Sequence, residues 1–173
     1  MHTRANIREI RPEEYHLLGQ LMIAVYADLD GFPTPDEQPD YYKMLANIGA
    51  MNEQRATTVL AAFSEAGRLM GGVVYFSDMA MYGSGGTATT EKNASGIRLL
   101  GVDPKFRKAG VGRAPTVACI QRAKDDGNEK VILHTTMAMQ VAWKLYENMG
   151  FRRSEDLDFL QGELPVYGFR LYL

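Results

Sequence analysis

The chain has 173 residues, 46% of them hydrophobic, so it is long enough for one ordinary domain with a full core, and residues 1–173 are predicted to form a single domain. A net charge of −2 gives no electrostatic reason to expect nucleic acid or an anionic membrane as a partner. The single cysteine, Cys119, excludes an internal disulfide, and the first six residues lack the apolar stretch of a signal peptide. We therefore expect a cytoplasmic protein.

The first predicted elements are a short strand over residues 6–10 and a helix that starts at Pro12. Four apolar residues at helical spacing predict that this helix packs on a sheet: Leu18, Leu21, Met22 and Val25. Residues 28–40 carry three prolines and five carboxylates without one lysine or arginine, which predicts an acidic loop. A second helix is predicted to start at Asp40 as its N-cap. Its expected buried residues are Tyr41, Leu45 and Ile48.

A hairpin is predicted next, because two runs rich in Val, Phe and Tyr, 57–64 and 69–77, flank the turn sequence Glu-Ala-Gly-Arg. Gly71 and Gly72 inside its second arm indicate a bulge, a close backbone approach or a weakened strand. Residues 79–93 include GSGGTATT, which is small and polar, so this segment is expected to be a mobile loop.

The second half alternates strands and helices. Strands are predicted over 94–102 and 130–135, the latter in parallel pairing because its apolar run is continuous. A helix beginning near Gly112 is expected to bury Ala114, Val117 and Ala118, and one over 138–148 to bury Ala138, Val141, Ala142 and Leu145. Two last strands are predicted over 151–159 and 166–173. The alternating apolar residues of the final strand suit either the core or the edge of a homodimer. This order of elements favours an α/β or α+β fold with a mixed sheet.

A glycine-rich segment follows strand 94–102. Gly110 and Gly112 leave backbone N–H groups open at the start of the next helix, where the helix dipole favours an anion. A Walker loop is excluded because Arg113 stands where lysine is needed, and a dinucleotide fingerprint is excluded because Pro115 replaces its third glycine. The segment predicts a phosphate site of another kind.

Two motifs resemble one family. The run Arg107-Lys108-Ala109-Gly110-Val111-Gly112 is similar to the R-x-x-G-x-G acyl-CoA pyrophosphate loop of the GNAT acetyltransferase superfamily. Downstream, Leu145-Tyr146-Glu147-Asn148-Met149-Gly150-Phe151 resembles the L-Y-x-x-x-G-F segment of that family. The resemblance implies a twisted, mostly antiparallel sheet of about six or seven strands with about four helices. In it, strands 94–102 and 130–135 would run parallel and splay apart.

The resemblance also implies a site for acetyl-CoA as cosubstrate, without a metal. Pantetheine would pair with the strand edge at Leu100, Gly101 and Val102. The pyrophosphate would bind the backbone and side chains of the loop, formed by Arg107, Lys108, Ala109, Gly110, Val111, Gly112 and Arg113. Met139 would line the cofactor groove, and Tyr146 would protonate the departing thiolate as general acid.

Two positions depart from the family pattern. Many relatives carry a glutamate at about Gly96 as general base, and an asparagine at Met139. The base is therefore open between Asp78, Glu91, His134 and a water molecule. His134 also suits a hydrogen-bonded core histidine, and Glu91 an exposed loop charge.

The implied activity is transfer of an acetyl group to a primary amine of a small-molecule or peptide acceptor, by direct attack in a ternary complex. A catalytically weak acyl-CoA-binding module of the same fold is the alternative from another class. An O-acyltransferase or a longer-chain acyltransferase is the third possible function. The acidic loop over 28–40 hints at a cationic acceptor, and it equally suits an ordinary solvated loop.

Overall fold

The computed structural model describes residues 4–173, apart from the side chains of Lys108 and Ala109. The strands are β1 Asn6–Glu9, β2 Thr57–Phe63, β3 Leu69–Phe76, β4 Ala94–Val102, β5 Lys130–Thr135, β6 Arg152–Arg153, β7 Phe159–Gln161 and β8 Leu164–Tyr172. The α-helices are α1 Tyr15–Ala27, α2 Pro39–Ala46, α3 Arg113–Asp125 and α4 Gln140–Asn148. Among the described residues, no helix has both the length and the hydropathy to span a bilayer.

The strands form a mixed sheet in the order β1-β2-β3-β4-β5-β8-β6, with β7 paired to β8. Strands β4 and β5 run parallel, and the β1–β2, β5–β8, β6–β8 and β7–β8 pairs are antiparallel. The parallel register covers Ala94–Ile97 of β4 and Lys130–Leu133 of β5 only, although both strands continue further. The predicted mixed sheet, mostly antiparallel with one parallel pair that separates, is therefore confirmed.

The chain forms two compact units. The first contains the described part of Met1–Gln54, Thr58–Val74 and Leu99–Ala118. In it α1 packs on strand β3, because a Cβ added to Gly72 would lie 2.8 Å from Cδ1 of Leu18. A Cβ added to Gly71 would lie 2.5 Å from the carbonyl oxygen of Gly101. The glycine pair therefore permits a close backbone approach, which is one of its predicted roles.

The second unit contains Arg55–Thr57, Tyr75–Arg98 and Cys119–Leu173. A partly buried chain of hydrogen bonds links four residues of this unit. The Tyr75 hydroxyl donates to Oδ2 of Asp126 at 2.5 Å, so it must accept from Oγ of Ser95 at 2.9 Å. Ser95 Oγ in turn accepts from Nδ2 of Asn128 at 2.7 Å. Burial and the Asp126 hydrogen bond both raise the pKa of Tyr75, which keeps the donor protonated.

Several predicted helix faces are wrong. Helix α2 begins at Pro39 after Gln38, and Tyr42, not Tyr41, is buried. In α3 the buried positions are Pro115, Thr116, Cys119 and Ala123, while Val117 is exposed. In α4 Tyr146 is buried and Val141 is 80% exposed. Leu45 and Ile48 are buried as predicted, so the error for α2 is confined to Tyr41. Helices α3 and α4 are turned from the predicted orientation, because small and apolar residues occur on more than one of their faces.

Two segments also differ from expectation. Residues 79–93 contain two 3-10 turns, Met79–Met81 and Ala88–Thr90, and bury Met79, Tyr82 and Ala88. The segment therefore packs into its unit where a mobile loop was expected. Strand β8 begins at Leu164, two residues before its predicted start, and it pairs with β5 on one side and with β7 and β6 over parts of the other.

Candidate active site

The glycine-rich loop lies in the first unit, between β4 and α3. Asp103 caps a 3-10 turn, Pro104–Ala109, through its Oδ1, which accepts the backbone N–H of Lys105 at 2.9 Å. Gly110 follows with a φ of 71°, and a Cβ added there would meet nothing within 4 Å. Helix α3 then starts at Arg113, one residue after the predicted start. The loop thus brings a left-handed glycine with open space beside it to a helix N-terminus, which is a geometry that suits an anion.

Side chains around this loop divide by exposure. Val111 is buried in a cluster with Val102, Ala62 and Met70, which anchors the loop to the end of β4. Arg107 and Arg113 are exposed, as cations that bind an anion from solvent would be. The side chain of Lys108, predicted to add charge here, lies outside the described residues, as does that of Ala109.

The residues predicted to pair with pantetheine, Leu100, Gly101 and Val102, lie at the end of β4. Leu99 has a φ of 59°, so the strand changes direction immediately after Arg98. Gly101 and Val102 are buried and Leu100 is half-buried. The carbonyl oxygen of Leu100 accepts the Tyr26 hydroxyl at 3.0 Å. Because a carbonyl oxygen has two lone pairs, this bond leaves it able to accept another donor.

Tyr146, the predicted general acid, lies on α4 in the second unit and is 4% exposed. Its ring packs edge-on against Phe151 at a centroid distance of 5.7 Å. Burial, followed by the nearby Tyr82 and Cys119, raises the pKa of Tyr146 above the usual value of about 10. The hydroxyl is therefore protonated at neutral pH.

The Tyr146 hydroxyl differs from those of the other buried tyrosines. Four of them bond protein groups: Tyr26 bonds Leu100, Tyr42 bonds Pro33, Tyr75 bonds Asp126 and Tyr82 bonds His134. For Tyr146 there is no hydrogen bond to any residue that the structure describes. A protonated phenol with a free donor is what a general acid requires before its substrate binds.

The position of the missing glutamate is occupied by a neighbouring ring. A Cβ added to Gly96 would lie 2.5 Å from Cδ2 of Tyr82 and 2.9 Å from Sδ of Met79. Tyr82 is fully buried and packs at right angles to Phe76. No side chain at residue 96 could coexist with Tyr82 in this place, so the usual carboxylate base is replaced by an aromatic ring.

His134 is a hydrogen-bonded core residue. Its Nε2 lies 2.8 Å from the carbonyl oxygen of Leu157, which can only accept, so Nε2 carries the proton. Its Nδ1 then accepts the Tyr82 hydroxyl at 2.9 Å. Burial lowers the pKa of His134, and the positive charge of Arg98 lowers it further. Both ring nitrogens are occupied, which leaves no lone pair to remove a proton from an acceptor.

The two candidate carboxylates are also engaged. Asp78 accepts the backbone N–H of Ala80 at 2.9 Å and pairs with Arg55 at 3.1 Å, and these bonds lower its pKa. Glu91, expected as an exposed loop charge, is half-buried and pairs with Lys130 and Arg170. Burial raises the pKa of Glu91, but the two cations more than offset this and hold it below its usual range. Neither is a strong base.

Sequence reasoning missed two threonines at the carboxyl end of β5. Thr135 and Thr136 are 2% and 4% exposed, and neither Oγ1 atom has a hydrogen-bond partner among the described residues. A buried hydroxyl without a partner is rare in proteins and is often satisfied by a ligand. The one available sequence signal was two hydroxyl residues at the carboxyl end of a parallel strand, where ligands of α/β proteins bind. Met139, three residues further, is half-buried and caps α4.

Comparison with known proteins identifies the family. Residues 22–151 match the Acetyltransferase (GNAT) family. A mycothiol acetyltransferase from Thermobispora bispora is 39% identical over 57 residues, which cover 33% of this chain and 19% of that protein. The chain thus matches about a fifth of the length of this curated relative.

Solved structures share the fold over nearly the whole chain. A GNAT family acetyltransferase from Staphylococcus aureus Mu50 superposes with a TM-score of 0.74 at 18% identity, covering 98% of this chain and 99% of that one. The PaiA N-acetyltransferase from Thermoplasma acidophilum, solved in complex with coenzyme A, gives a TM-score of 0.70 at 14% identity, covering 95% and 98%. The chain therefore has the GNAT fold. Because the family match covers most of its length, the protein belongs to the GNAT acetyltransferase family.

Proposed function

We propose that this family member is an acetyl-CoA-dependent N-acetyltransferase that acylates a primary amine by direct attack in a ternary complex. The observation that carries the proposal is Tyr146, whose side chain is largely buried and whose protonated hydroxyl has no hydrogen-bond partner among the described residues. A phenol with a pKa at or above about 10 keeps its proton at neutral pH, so Tyr146 would donate it to the sulfur as negative charge develops there during C–S bond cleavage.

The residues present fit the coenzyme. Gly110 leaves open space at the N-terminus of α3, and Arg107 and Arg113 are exposed cations, so this loop would hold the diphosphate. The unpartnered hydroxyls of Thr135 and Thr136 are buried polar groups that a ligand would satisfy. When bound, acetyl-CoA supplies the activated acyl group and the thiolate. The coenzyme A complex of the PaiA relative supports this assignment.

None of the three described side chains predicted as possible bases is a strong base, and this constrains the acceptor. A lysine-like amine with a pKa of about 10.4 is almost wholly protonated at neutral pH, whereas an α-amino group, at about 8, has an appreciable neutral fraction. With Tyr82 in the place of the glutamate and both nitrogens of His134 bonded, the neutral amine would be drawn from solution or deprotonated through water. The pH dependence of kcat/KM should therefore follow the pKa of the acceptor amine.

The absent glutamate also favours a second candidate function. A GNAT domain that binds acyl-CoA without useful turnover would need the glycine loop and no base. The free hydroxyl of Tyr146 argues against this alternative, because a module that only binds the coenzyme has no use for a buried proton donor.

Two measurements test the proposal. Calorimetric titration with coenzyme A should give binding, which Gly110→Ala weakens, because alanine at a φ of 71° costs roughly 1 kcal/mol or more and reorients the loop amides. Gly67→Ala is the matched control, since Gly67 has a φ of 81°, equally open space and a place in the β2–β3 turn. Thiol release from acetyl-CoA should then depend on added amine. Coenzyme binding without amine-dependent release would favour the binding module, and no binding would refute both.

A further inference from the structure

Arg98 is a half-buried arginine on β4, and it shares one face of that strand with Gly96. Its guanidinium carbon lies 5.8 Å from the centroid of the Tyr82 ring, and its Nη1 donates to the Tyr82 carbonyl oxygen at 3.0 Å. The same ring is what a Cβ at Gly96 would meet. Arg98 thus lies two residues along the strand from the position where family members commonly place the catalytic carboxylate.

Arg98 forms no ion pair with any residue that the structure describes. Three other half-buried arginines each hold a carboxylate: Arg8 with Glu14, Arg153 with Asp158, and Arg170 with Glu91 and Asp156. No carboxylate in the described part of the chain forms an ion pair with Arg98. Withdrawing a cation from water without a counter-charge is unfavourable, so such a group is usually paired.

Arg122 is half-buried and likewise has no ion pair among the described residues, but its position in a helix stabilises its charge. It lies in the last turn of α3, where the helix carbonyls favour a cation. Arg98 lies in a strand, where the peptide dipoles largely cancel. Of the two, only Arg98 lacks a compensating field from its own element.

The local backbone holds this guanidinium in position. Gly83 has a φ of 71°, and a Cβ added there would lie 3.3 Å from Nη1 of Arg98. The turn around Gly83 therefore needs glycine both for its conformation and for the approach of the arginine. One N–H bonds the Tyr82 carbonyl, and four of the five donors of a guanidinium remain for a ligand.

We propose that Arg98 binds a carboxylate of the acceptor, so that this enzyme acetylates amines that carry a carboxylate, as amino acids and short peptides do. Arg98 is a specificity-determining residue in this proposal, which rests on the N-acetyltransferase function proposed above. The guanidinium fork matches the two oxygens of a carboxylate, and its single charge is neutralised by that group's single charge. A phosphate dianion would leave negative charge unbalanced in a half-buried place.

The test compares acceptors that differ only in this group. Amino acids and dipeptides are assayed beside their carboxamides and decarboxylated amines, by thiol release from acetyl-CoA. For the wild type, kcat/KM corrected for the neutral fraction of each amine should be about 10- to 100-fold higher for the carboxylate, as expected for a charge-assisted hydrogen bond. The difference should appear mainly in the KM of the acceptor, because the carboxylate does not react.

Substitutions of Arg98 distinguish a role in acceptor specificity from a structural role. Arg98→Gln should remove the preference for the carboxylate while leaving kcat/KM for the decarboxylated amine within about threefold, and Arg98→Lys should restore part of it. Arg122→Gln is the matched control and should keep the full preference. Gly83→Ala should weaken the preference by displacing the guanidinium, whereas Gly67→Ala, with the same backbone cost, should not.

The outcomes separate this inference from the function on which it rests. Equal rates for carboxylate, carboxamide and decarboxylated amine in the wild type would overturn the inference and leave the acetyltransferase function standing. So would an Arg98→Gln variant that slows all three acceptors equally, since that is the behaviour of a structural residue. Coenzyme A binding without thiol release for any amine would instead refute the proposed function.

Discussion

Replacing Tyr146 by phenylalanine should abolish most activity and leave stability nearly unchanged. Phenylalanine keeps the ring against Phe151 and removes only a hydroxyl that bonds no described residue. The free energy of unfolding should therefore change by less than about 0.5 kcal/mol. Loss of a general acid should lower kcat by about 10²–10⁴-fold, which corresponds to about 2.7–5.4 kcal/mol of transition-state stabilisation. The two effects differ enough to be told apart.

The pH dependence sharpens this prediction. The thiolate needs a proton only where its conjugate acid is stable, below a pKa of about 8.5, so the deficit of Tyr146→Phe should be largest at pH 6–8 and shrink above about pH 8.5. Because burial raises the pKa of Tyr146, the wild type should show no loss of its acid in this range. Thiol release at saturating acetyl-CoA and amine, with urea unfolding in parallel, measures both quantities. A Tyr146→Phe enzyme with an unchanged kcat across this range would refute the reasoning.

Three further substitutions test the groups around the site. Tyr75→Phe should destabilise the protein by about 1–3 kcal/mol in urea unfolding, because it removes the hydrogen bond to Asp126 and leaves Ser95 without its acceptor; an unchanged midpoint would contradict the buried network. Thr135→Val should leave the melting temperature of the free protein unchanged or higher, because that hydroxyl has no partner, yet reduce the rise in melting temperature on adding coenzyme A; a destabilised free protein would show that the hydroxyl is already bonded. Burial lowers the pKa of His134, so the unfolded state binds more protons than the folded state below about pH 6.5, and the wild type should lose stability as pH falls from 6.5 to 5.5. His134→Gln should lose less over the same interval in urea unfolding, and equal slopes would show that His134 is not held neutral.

Much of the fold could be predicted from local pattern. Strands β4 and β5 have the predicted bounds, because each contains an apolar segment and is flanked by turn or polar residues. The start of α3 was predicted within one residue from Pro115, which is tolerated only in the first turn of a helix. Strand bounds and helix starts depend on residues that are close in sequence, so they can be predicted from the sequence.

The errors concern contacts between distant segments. The place of Tyr82 depends on Gly96, and nothing in the small, polar run after it indicates a buried aromatic ring. The pairing of Glu91 with Lys130 and Arg170 joins residues 39 and 79 positions apart, a separation that no periodicity reports. Motif resemblance proposed the loop and Tyr146 as site residues, but the engagement of the three candidate bases required three-dimensional contacts.

The most direct test of the central claim is mass spectrometry of the acceptor after incubation with acetyl-CoA, run beside a thiol assay. The account predicts one acetyl group on the amine nitrogen for each thiol released, with both rates falling together in Tyr146→Phe. Thiol release at the same rate with and without amine, or an acceptor that gains no acetyl group while coenzyme A binds, would contradict it.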